Sequence, residues 1–346
     1  MSDIPAAPPT VGAPVLNRNA GIDLVRVVGL VAVVGGHVFA SSPLVRELTY
    51  SWHMPLFFFL TGYLWNPRRD LRGEWRTRVK SLALPYVVWV VLLIGLYAVW
   101  AAVTPKSLDP KRITGALLGG ANAGSPFFTL WFVSALFFVA LLYRLVCRLP
   151  VWAQWAIALA GVLVGVLFPQ AVSHSPLAIG MALPCLIFVV AGAGFRSVRD
   201  RITDPLQVGL LLLVVAGLAV AIKVAKPLDL KHLDLGTPIV SITAAIAISA
   251  ALLLIAEPLM RRMPARLGRI MTVLALGSLT VVFLHPLLMW FFPAPLELRW
   301  VRLLVVLVVP WVIGVAVAYT PATRWLNGTK AQIRAPRQPA ASASAS

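Results

Sequence analysis

Long apolar runs recur along the whole chain, and they constrain its fold more than any other feature. Each run has about 17–25 residues, enough for a helix to cross roughly 30 Å of hydrocarbon. Apolar residues make up 60% of the chain and charged residues only 12%. A soluble core could not hide so much apolar surface, and a disordered chain would show the opposite balance. The pattern therefore predicts an all-α integral membrane protein.

The basic residues between the runs predict how the helices are oriented. One alternating set of connecting segments carries more than twice as many Lys and Arg residues as the other. Cytoplasmic loops of membrane proteins are the ones enriched in basic residues. We predict a bundle of about ten transmembrane helices with both termini cytoplasmic. The predicted spans are 21–40, 51–66, 81–103, 126–143, 151–168, 177–195, 206–222, 239–256, 270–292 and 303–320.

The remaining composition fits one membrane domain between two tails. Residues 1–17 and 327–346 predict disordered tails, since they are rich in Pro, Ala and Ser, and residues 18–326 form the membrane domain. A cleaved signal peptide over 18–42 is the alternative, but it would leave nine spans and upset the alternation of charge. The net charge of +18 is typical of basic cytoplasmic loops in such a protein, so no nucleic-acid partner is expected. Cys147 and Cys185 match no metal spacing and favour no disulfide.

Three ionisable residues lie in the first apolar run. Arg26 and His37 are eleven residues apart, close to three helical turns, so both project from one face, with His37 roughly 16 Å deeper along the axis. Asp23 lies one turn before Arg26 and can hold its guanidinium in place. Ionisable residues within a membrane are costly, which makes each a candidate for function. Alternatively, Asp23 and Arg26 anchor the helix at the interface and His37 hydrogen-bonds a neighbouring helix.

Two further histidines are predicted on the same outer side as His37. His53 lies at the outer end of the second run, and His285 lies about fifteen residues into the ninth. Two carboxylates, Asp23 and Glu257, lie near the inner helix ends instead. We expect Glu257 to pair with Arg261. Proton-coupled carriers usually place Asp or Glu in mid-membrane, and these predicted spans hold none there.

The predicted inner loop 67–80 is strongly basic, with six Lys or Arg residues against two acidic ones. Such a loop beside a membrane binds phosphate groups through charge-assisted hydrogen bonds. Its ligand is either an anionic lipid headgroup or the phosphates of a cofactor, and charge alone does not separate the two. Arg76, Arg78 and Lys80 lie closest to the next apolar run.

Four stretches of the sequence carry a resemblance to a known family. They are Asp23-x-x-Arg26 with His37, the segment His-Met-Pro-Leu-Phe-Phe-Phe-Leu-Thr-Gly-Tyr at 53–63, the basic run through Arg78 into Leu-Pro-Tyr at 84–86, and Leu130-Trp131-Phe132 with the later segments 278–279 and 283–286. Together they resemble the membrane acyltransferase-3 family, in its branch of fucose 4-O-acetylase-like sugar O-acetyltransferases. The likeness covers about residues 18–320. It departs at Thr61, where the family usually has Ser, and at Ser81, where a second Arg is missing that Lys80 or Arg76 could replace.

The resemblance implies an O-acetyltransferase of the bacterial inner membrane. Its expected partners are membrane lipid, acetyl-CoA as the acyl donor, and a sugar, glycan intermediate or other hydroxylated acceptor, with no metal. His37 would act either as general base on the acceptor hydroxyl or through an acetyl-imidazole intermediate. The resemblance implies that Arg26 and His37 are the catalytic pair, and the spacing adds Asp23 beside Arg26. Arg76, Arg78 and Lys80 are expected to bind the donor phosphates. His53 and His285 are expected to face the acceptor because they lie nearer the outer side.

A transporter or flippase of a lipid-linked glycan or other small solute is the alternative function. Its basic loops would grip phosphate, but the matched, broken helices of many carriers are not evident in the sequence. Acetyl transfer by the purified protein, against glycan movement in vesicles without acetyl-CoA, would separate the two functions.

Overall fold

The computed structural model describes residues 18–105, 107–293 and 295–329. The described residues are helical and connected by loops, with a single isolated backbone bridge between Asp229 and Asp234 and no strand. The prediction of an all-α protein is confirmed. The predicted tail at 1–17 and residues 330–346 of the second tail lie outside the described residues.

Every predicted apolar run coincides with a helix, and the ninth coincides with two. Sixteen α-helices lie in the described residues. Of these, α2, α4, α6 and α9 fall between the predicted runs, and α16 follows the last run. They are α1 Ala20–Val38, α2 Pro43–Tyr50, α3 His53–Tyr63, α4 Leu71–Arg78, α5 Leu84–Val103, α6 Pro110–Leu118, α7 Leu130–Val146, α8 Val151–Leu167, α9 Pro169–Ser173, α10 Ala182–Arg199, α11 Pro205–Ala221, α12 Pro238–Arg262, α13 Ala265–Leu276, α14 Ser278–Phe291, α15 Arg299–Ala318 and α16 Thr323–Leu326.

Five helical stretches among the described residues are long and apolar enough to cross a membrane. α13 and α14 add a sixth if this pair, which is bent by 58°, counts as one span. α7, α8 and α11 are apolar but shorter. The chain is therefore a multi-pass membrane protein, while ten crossings and two cytoplasmic termini remain predictions. The five stretches are Ala20–Val38, Leu71–Val103, Pro176–Arg199, Pro238–Arg262 and Arg299–Ala318.

The short helix α3 is packed against α1, α10 and α12. Its Phe58 and Phe59 side chains have no exposed surface. Where α3 crosses α10, a Cβ atom on Gly62 or Gly192 would collide with the backbone of the other helix. Small residues let membrane helices approach this closely, so the crossing requires glycine at both positions.

The packing continues beyond residue 326, the predicted end of the membrane domain. The buried Asn327 side chain accepts a hydrogen bond from the Thr280 hydroxyl at 2.7 Å and donates one to the Gly314 carbonyl at 3.0 Å. Gly328 lies against the backbone of Ser81. These contacts of residues 327 and 328 join α14, α15 and the residues before α5.

We expect Gly192→Ala to lower the midpoint of thermal unfolding of the detergent-purified protein. The added methyl group meets the α3 backbone, and overpacking of this kind costs about 1–3 kcal/mol. Gly95→Ala in α5 is the matched control, because no atom lies within 4 Å of the added carbon. The control should be neutral or slightly stabilising, since alanine favours a helix over glycine. Equal midpoints for the two variants would contradict the close crossing.

Candidate active site

Two of the candidate functional residues on α1, Arg26 and His37, lie far apart along the helix. Arg26 and His37 both lie within Ala20–Val38, so roughly 16 Å of helix axis lies between them. We call the corresponding ends of the bundle the Arg26 side and the His37 side. One small reacting group cannot contact both residues, so they must serve different parts of any ligand.

Three histidines that are far apart in the sequence meet at the His37 side. The His37 ring stacks on the His285 ring, with centroids 5.5 Å apart and planes inclined by 15°. The His53 ring lies edge-on to His37, with 6.5 Å between centroids. His53 and His285 are buried, and His37 is partly exposed. The structure thus brings together all three histidines selected from the sequence.

A cavity of about 310 Å³ opens beside this histidine cluster. His37, His53 and Phe128 line it, and apolar side chains of α1, α3 and α7 form much of the remaining wall. Its volume falls in the range of small-molecule binding sites. His37 and His53 therefore face a space in which a reacting group can lie, and His285 lies behind His37.

Hydrogen bonds to backbone carbonyls fix the proton on two of the imidazoles. Nδ1 of His285 lies 2.7 Å from the Val281 carbonyl oxygen, and Nδ1 of His53 is bonded to the Thr49 carbonyl oxygen. A carbonyl oxygen only accepts, so each Nδ1 carries the proton and each Nε2 keeps a lone pair. Nε2 of His285 is buried and has no hydrogen-bond partner among the described residues. The cluster therefore contains an unused proton acceptor.

Tyr50 of the short helix α2 is a site residue that the sequence analysis missed. Its hydroxyl lies 3.3 Å from Nδ1 of His37, and its ring meets the His53 ring edge-on with 4.9 Å between centroids. The Arg46 guanidinium lies over the Tyr50 ring, 4.9 Å from the ring centroid. If Nδ1 of His37 donates to the Tyr50 oxygen, Nε2 of His37 is free to accept a proton. Helix α2 mixes polar and apolar residues between two apolar runs, so hydropathy gave no signal for it.

The loop 223–237 closes one part of the cavity and was also missed. Its Lys231 lines the cavity and donates a hydrogen bond to the Ala123 carbonyl at 2.7 Å. Burial lowers the pKa of Lys231, and the nearby Asp229 carboxylate opposes this change. Asp229 also lies 3.0 Å from Nδ1 of His232, an exposed side chain that nevertheless lines the cavity.

At the Arg26 side, the buried Asp23 carboxylate holds the first turn of α1. It accepts hydrogen bonds from Arg18 at 2.7 and 3.1 Å and from Arg26 at 3.3 Å. The contact between Asp23 and Arg26 is thus present as the spacing predicts. The Thr272 hydroxyl donates a further bond at 3.0 Å. Because Thr272 lies on α13, this carboxylate ties α1 to the bent pair that carries His285.

A second buried carboxylate, Glu257, lies nearby on α12. It accepts hydrogen bonds from the Asn19 amide at 3.1 Å, the Tyr63 hydroxyl at 3.1 Å and the Arg199 guanidinium at 2.8 and 3.2 Å. The predicted pairing with Arg261 is wrong, because α10 brings Arg199 to the carboxylate while Arg261 is exposed. This network joins four separate elements of the chain.

The buried Glu74 carboxylate organises the basic residues around α4. Arg78, a predicted donor contact, donates to it at 2.6 Å. Arg69 and Arg144 reach the same carboxylate at 3.4 and 3.6 Å. Three guanidinium groups around one carboxylate leave an excess of positive charge, so Arg78 is both held in place and able to attract an anion.

The other two predicted donor contacts are exposed. The side chains of Arg76 and Lys80 form no hydrogen bond or ion pair within the described part of the chain. Lys80 lies in a π-helical turn, Val79–Ala83, which connects α4 to α5. Ser81, at the place of the missing second Arg, lies in the same turn. Such turns occur frequently at functional sites, and this one presents free cations beside the bundle.

Metal and disulfide chemistry were not predicted from the sequence. In the ranges that the structure describes, no group of three or more His, Cys, Asp or Glu side chains is arranged to hold a metal ion. Cys147 and Cys185 are both free thiols.

Comparison with known proteins identifies the class. The acyltransferase domain family matches residues 19–321, and the chain therefore belongs to the acyltransferase-3 family. Two relatives bear the name nodulation protein NolL. The one from Mesorhizobium japonicum is 27% identical over 161 residues, which are 42% of this chain and 41% of the relative. The one from Sinorhizobium fredii is 26% identical over 179 residues, which are 46% of this chain and 45% of the relative.

The chain thus spans less than half the length of these curated relatives. No solved structure matches the chain significantly.

We expect Glu74→Gln to destabilise the protein strongly. The Arg144 side chain is only 2% exposed, and removing the partner of a buried ion pair costs about 3–5 kcal/mol. Arg69→Gln is the control: its side chain is 39% exposed, and exposed pairs contribute about 0–1 kcal/mol. Thermal unfolding in detergent measures both, and a Glu74→Gln midpoint as high as that of the control would refute the structural role of this carboxylate.

Proposed function

We propose that this protein is a membrane O-acyltransferase that moves an acetyl group from acetyl-CoA to a hydroxyl of a sugar or glycan intermediate. The observation that carries the proposal is the histidine cluster, of which His37 and His53 line the cavity, in a chain of the acyltransferase-3 family. An imidazole suits proton transfer near neutral pH because its ordinary pKa is about 6.5. The family supports acyl transfer, and the cluster supplies the group that would activate the acceptor.

The proposed reaction uses Nε2 of His37 as general base. Nε2 takes the proton of the acceptor hydroxyl while the hydroxyl oxygen attacks the thioester carbonyl carbon. The tetrahedral intermediate then collapses, the carbon–sulfur bond breaks, and His37 returns the proton to the leaving thiolate. The products are the O-acetyl ester and free CoA. Tyr50 is a positioning residue, because it accepts the Nδ1 proton and so leaves Nε2 free.

The donor is proposed to extend from the Arg26 side toward His37. Arg76 and Lys80 are free cations, and Arg78 adds excess charge beside Glu74, so these three residues suit the phosphates of acetyl-CoA. Arg26, roughly 16 Å of helix axis from His37, would contact the donor between the phosphates and the thioester. Asp23 positions Arg26, since its carboxylate holds the guanidinium.

The acceptor is proposed to enter on the His37 side. His53 and His285 surround His37 there, and Lys231 and His232 of the loop 223–237 line the same cavity. An imidazole can donate a hydrogen bond to a sugar hydroxyl or accept one from it, and the Lys231 ammonium group donates.

We expect His37→Gln to reduce acetyl transfer by about 10²–10⁴-fold, the usual contribution of a general base. Each variant is expressed in a deletion strain, and mass spectrometry of the envelope glycan measures the loss of O-acetyl groups. His174→Gln is the matched control, because His174 is exposed and lies outside the cavity lining. A fully active His37→Gln variant would remove the proposed role, and glycan movement in vesicles without acetyl-CoA would favour a carrier.

We expect Tyr50→Phe to reduce kcat by about three- to tenfold, because it removes one hydrogen bond of about 0.5–1.5 kcal/mol. The KM for acetyl-CoA should not change, since the donor contacts lie at the other end of α1. Tyr319→Phe, at an exposed position after α15, is the control. A change in KM without a change in kcat would show that Tyr50 contacts the donor rather than orienting His37.

A further inference from the structure

A second pocket, of about 270 Å³, lies on the His37 side, and none of the residues that line it has a role in the reaction described above. Ser125, Met289, Trp290, Pro293 and Arg302 line it. Met289 also lines the cavity beside the histidine cluster. The two spaces therefore adjoin at Met289.

Two buried N–H groups at this pocket have no acceptor. Nε of Arg302 and Nε1 of Trp290 are both buried without a hydrogen-bond partner among the described residues. Within the described ranges, Arg302 donates only from its Nη2 atom, to the Met289 carbonyl at 2.6 Å. Unpaired donors in a buried site are unfavourable and call for an acceptor that is missing.

The charges around the pocket do not cancel. The neighbouring Arg112 lies 3.2 Å from the Asp109 carboxylate, so its charge is compensated. Its guanidinium lies over the Trp290 ring, 4.6 Å from the centroid, and donates to the Ser125 carbonyl at 2.6 Å. Arg302 has no ion pair within the described residues. Arg112 therefore fixes the walls of the pocket, and Arg302 supplies its uncompensated positive charge.

We propose that this pocket binds an oxyanion, the carboxylate or phosphate group of the acceptor. An oxyanion accepts several hydrogen bonds at once, so it satisfies the Nε proton of Arg302 and the indole proton of Trp290 together. Because the pocket and the histidine cavity adjoin at Met289, an anion bound here holds the attached saccharide with a hydroxyl near His37. The inference rests on the proposed function and narrows its acceptor to a saccharide that carries negative charge.

Ligand-dependent thermal unfolding of the detergent-purified protein tests the site without acetyl-CoA. The probes are glucuronate, inorganic phosphate and glucose, all at constant ionic strength in chloride. We expect a saturable rise in the unfolding midpoint with glucuronate, phosphate or both, and no rise with glucose. A larger response to glucuronate identifies an acidic sugar, and a larger response to phosphate identifies a phosphate-linked saccharide. Both responses support an oxyanion site.

Two variants and a control assign the binding to this pocket. Arg302→Gln should raise the concentration needed for half of the rise by about tenfold, through loss of a charge-assisted hydrogen bond. Trp290→Phe keeps an aromatic ring under Arg112 and removes only the N–H donor, so it should weaken binding less. Arg299→Gln makes the same charge change one turn away on α15 and should respond like the unchanged protein.

Several results would overturn the oxyanion site. One is an equal response of the unchanged protein and Arg302→Gln, and another is a response to glucose that matches the response to glucuronate. If Arg302 only caps α14, its Gln variant unfolds at a lower temperature but keeps the anion-dependent rise. Failure of acetyl transfer would leave these binding results unaffected, so the two proposals fail separately.

Discussion

The buried Asp23 carboxylate fixes the position of α1, and the candidate site depends on that helix. A carboxylate in such a place is tolerated only when donors surround it, and here Arg18, Arg26 and Thr272 do so. The bond from Thr272 adds a polar contact to the packing of α1 against α13. Since α13 continues through the bend into α14, one ion-pair cluster sets the relative heights of the rings of His37 and His285, which lie at the far end of the bundle.

Much of this architecture follows from the sequence because hydrophobic periodicity and helical register are local properties. Each apolar run forms a helix, since the backbone of a membrane segment must satisfy its own hydrogen bonds. The spacing of Asp23, Arg26 and His37 on one helix gives their separation directly from the rise per residue. His53 and His285 could also be selected from the sequence, because their positions in the apolar runs put them on the same side as His37.

The remaining features depend on contacts between elements far apart in the chain. Nothing near Glu257 in the sequence indicates that Arg199, 58 residues earlier, is its partner. Tyr50 lies on a helix too polar and too short to register as a span, yet its hydroxyl reaches His37. The pocket beside Arg302 is equally hidden, because it arises where the end of α14 meets the start of α15. Polar recognition is thus set by how helices cross, and a single sequence does not specify the crossings.

The three residues after α16 have a practical consequence for handling this protein. Asn327 fastens α14 to α15, and Gly328 rests on the backbone of the turn that carries Lys80. Truncating the chain before Asn327, or fusing a bulky tag directly to these three residues, would loosen both the bent pair of α13 and α14 and the basic turn. Purification tags and fluorescent labels should therefore be attached beyond residue 329. The contacts that hold the two ends of the proposed donor path are then kept.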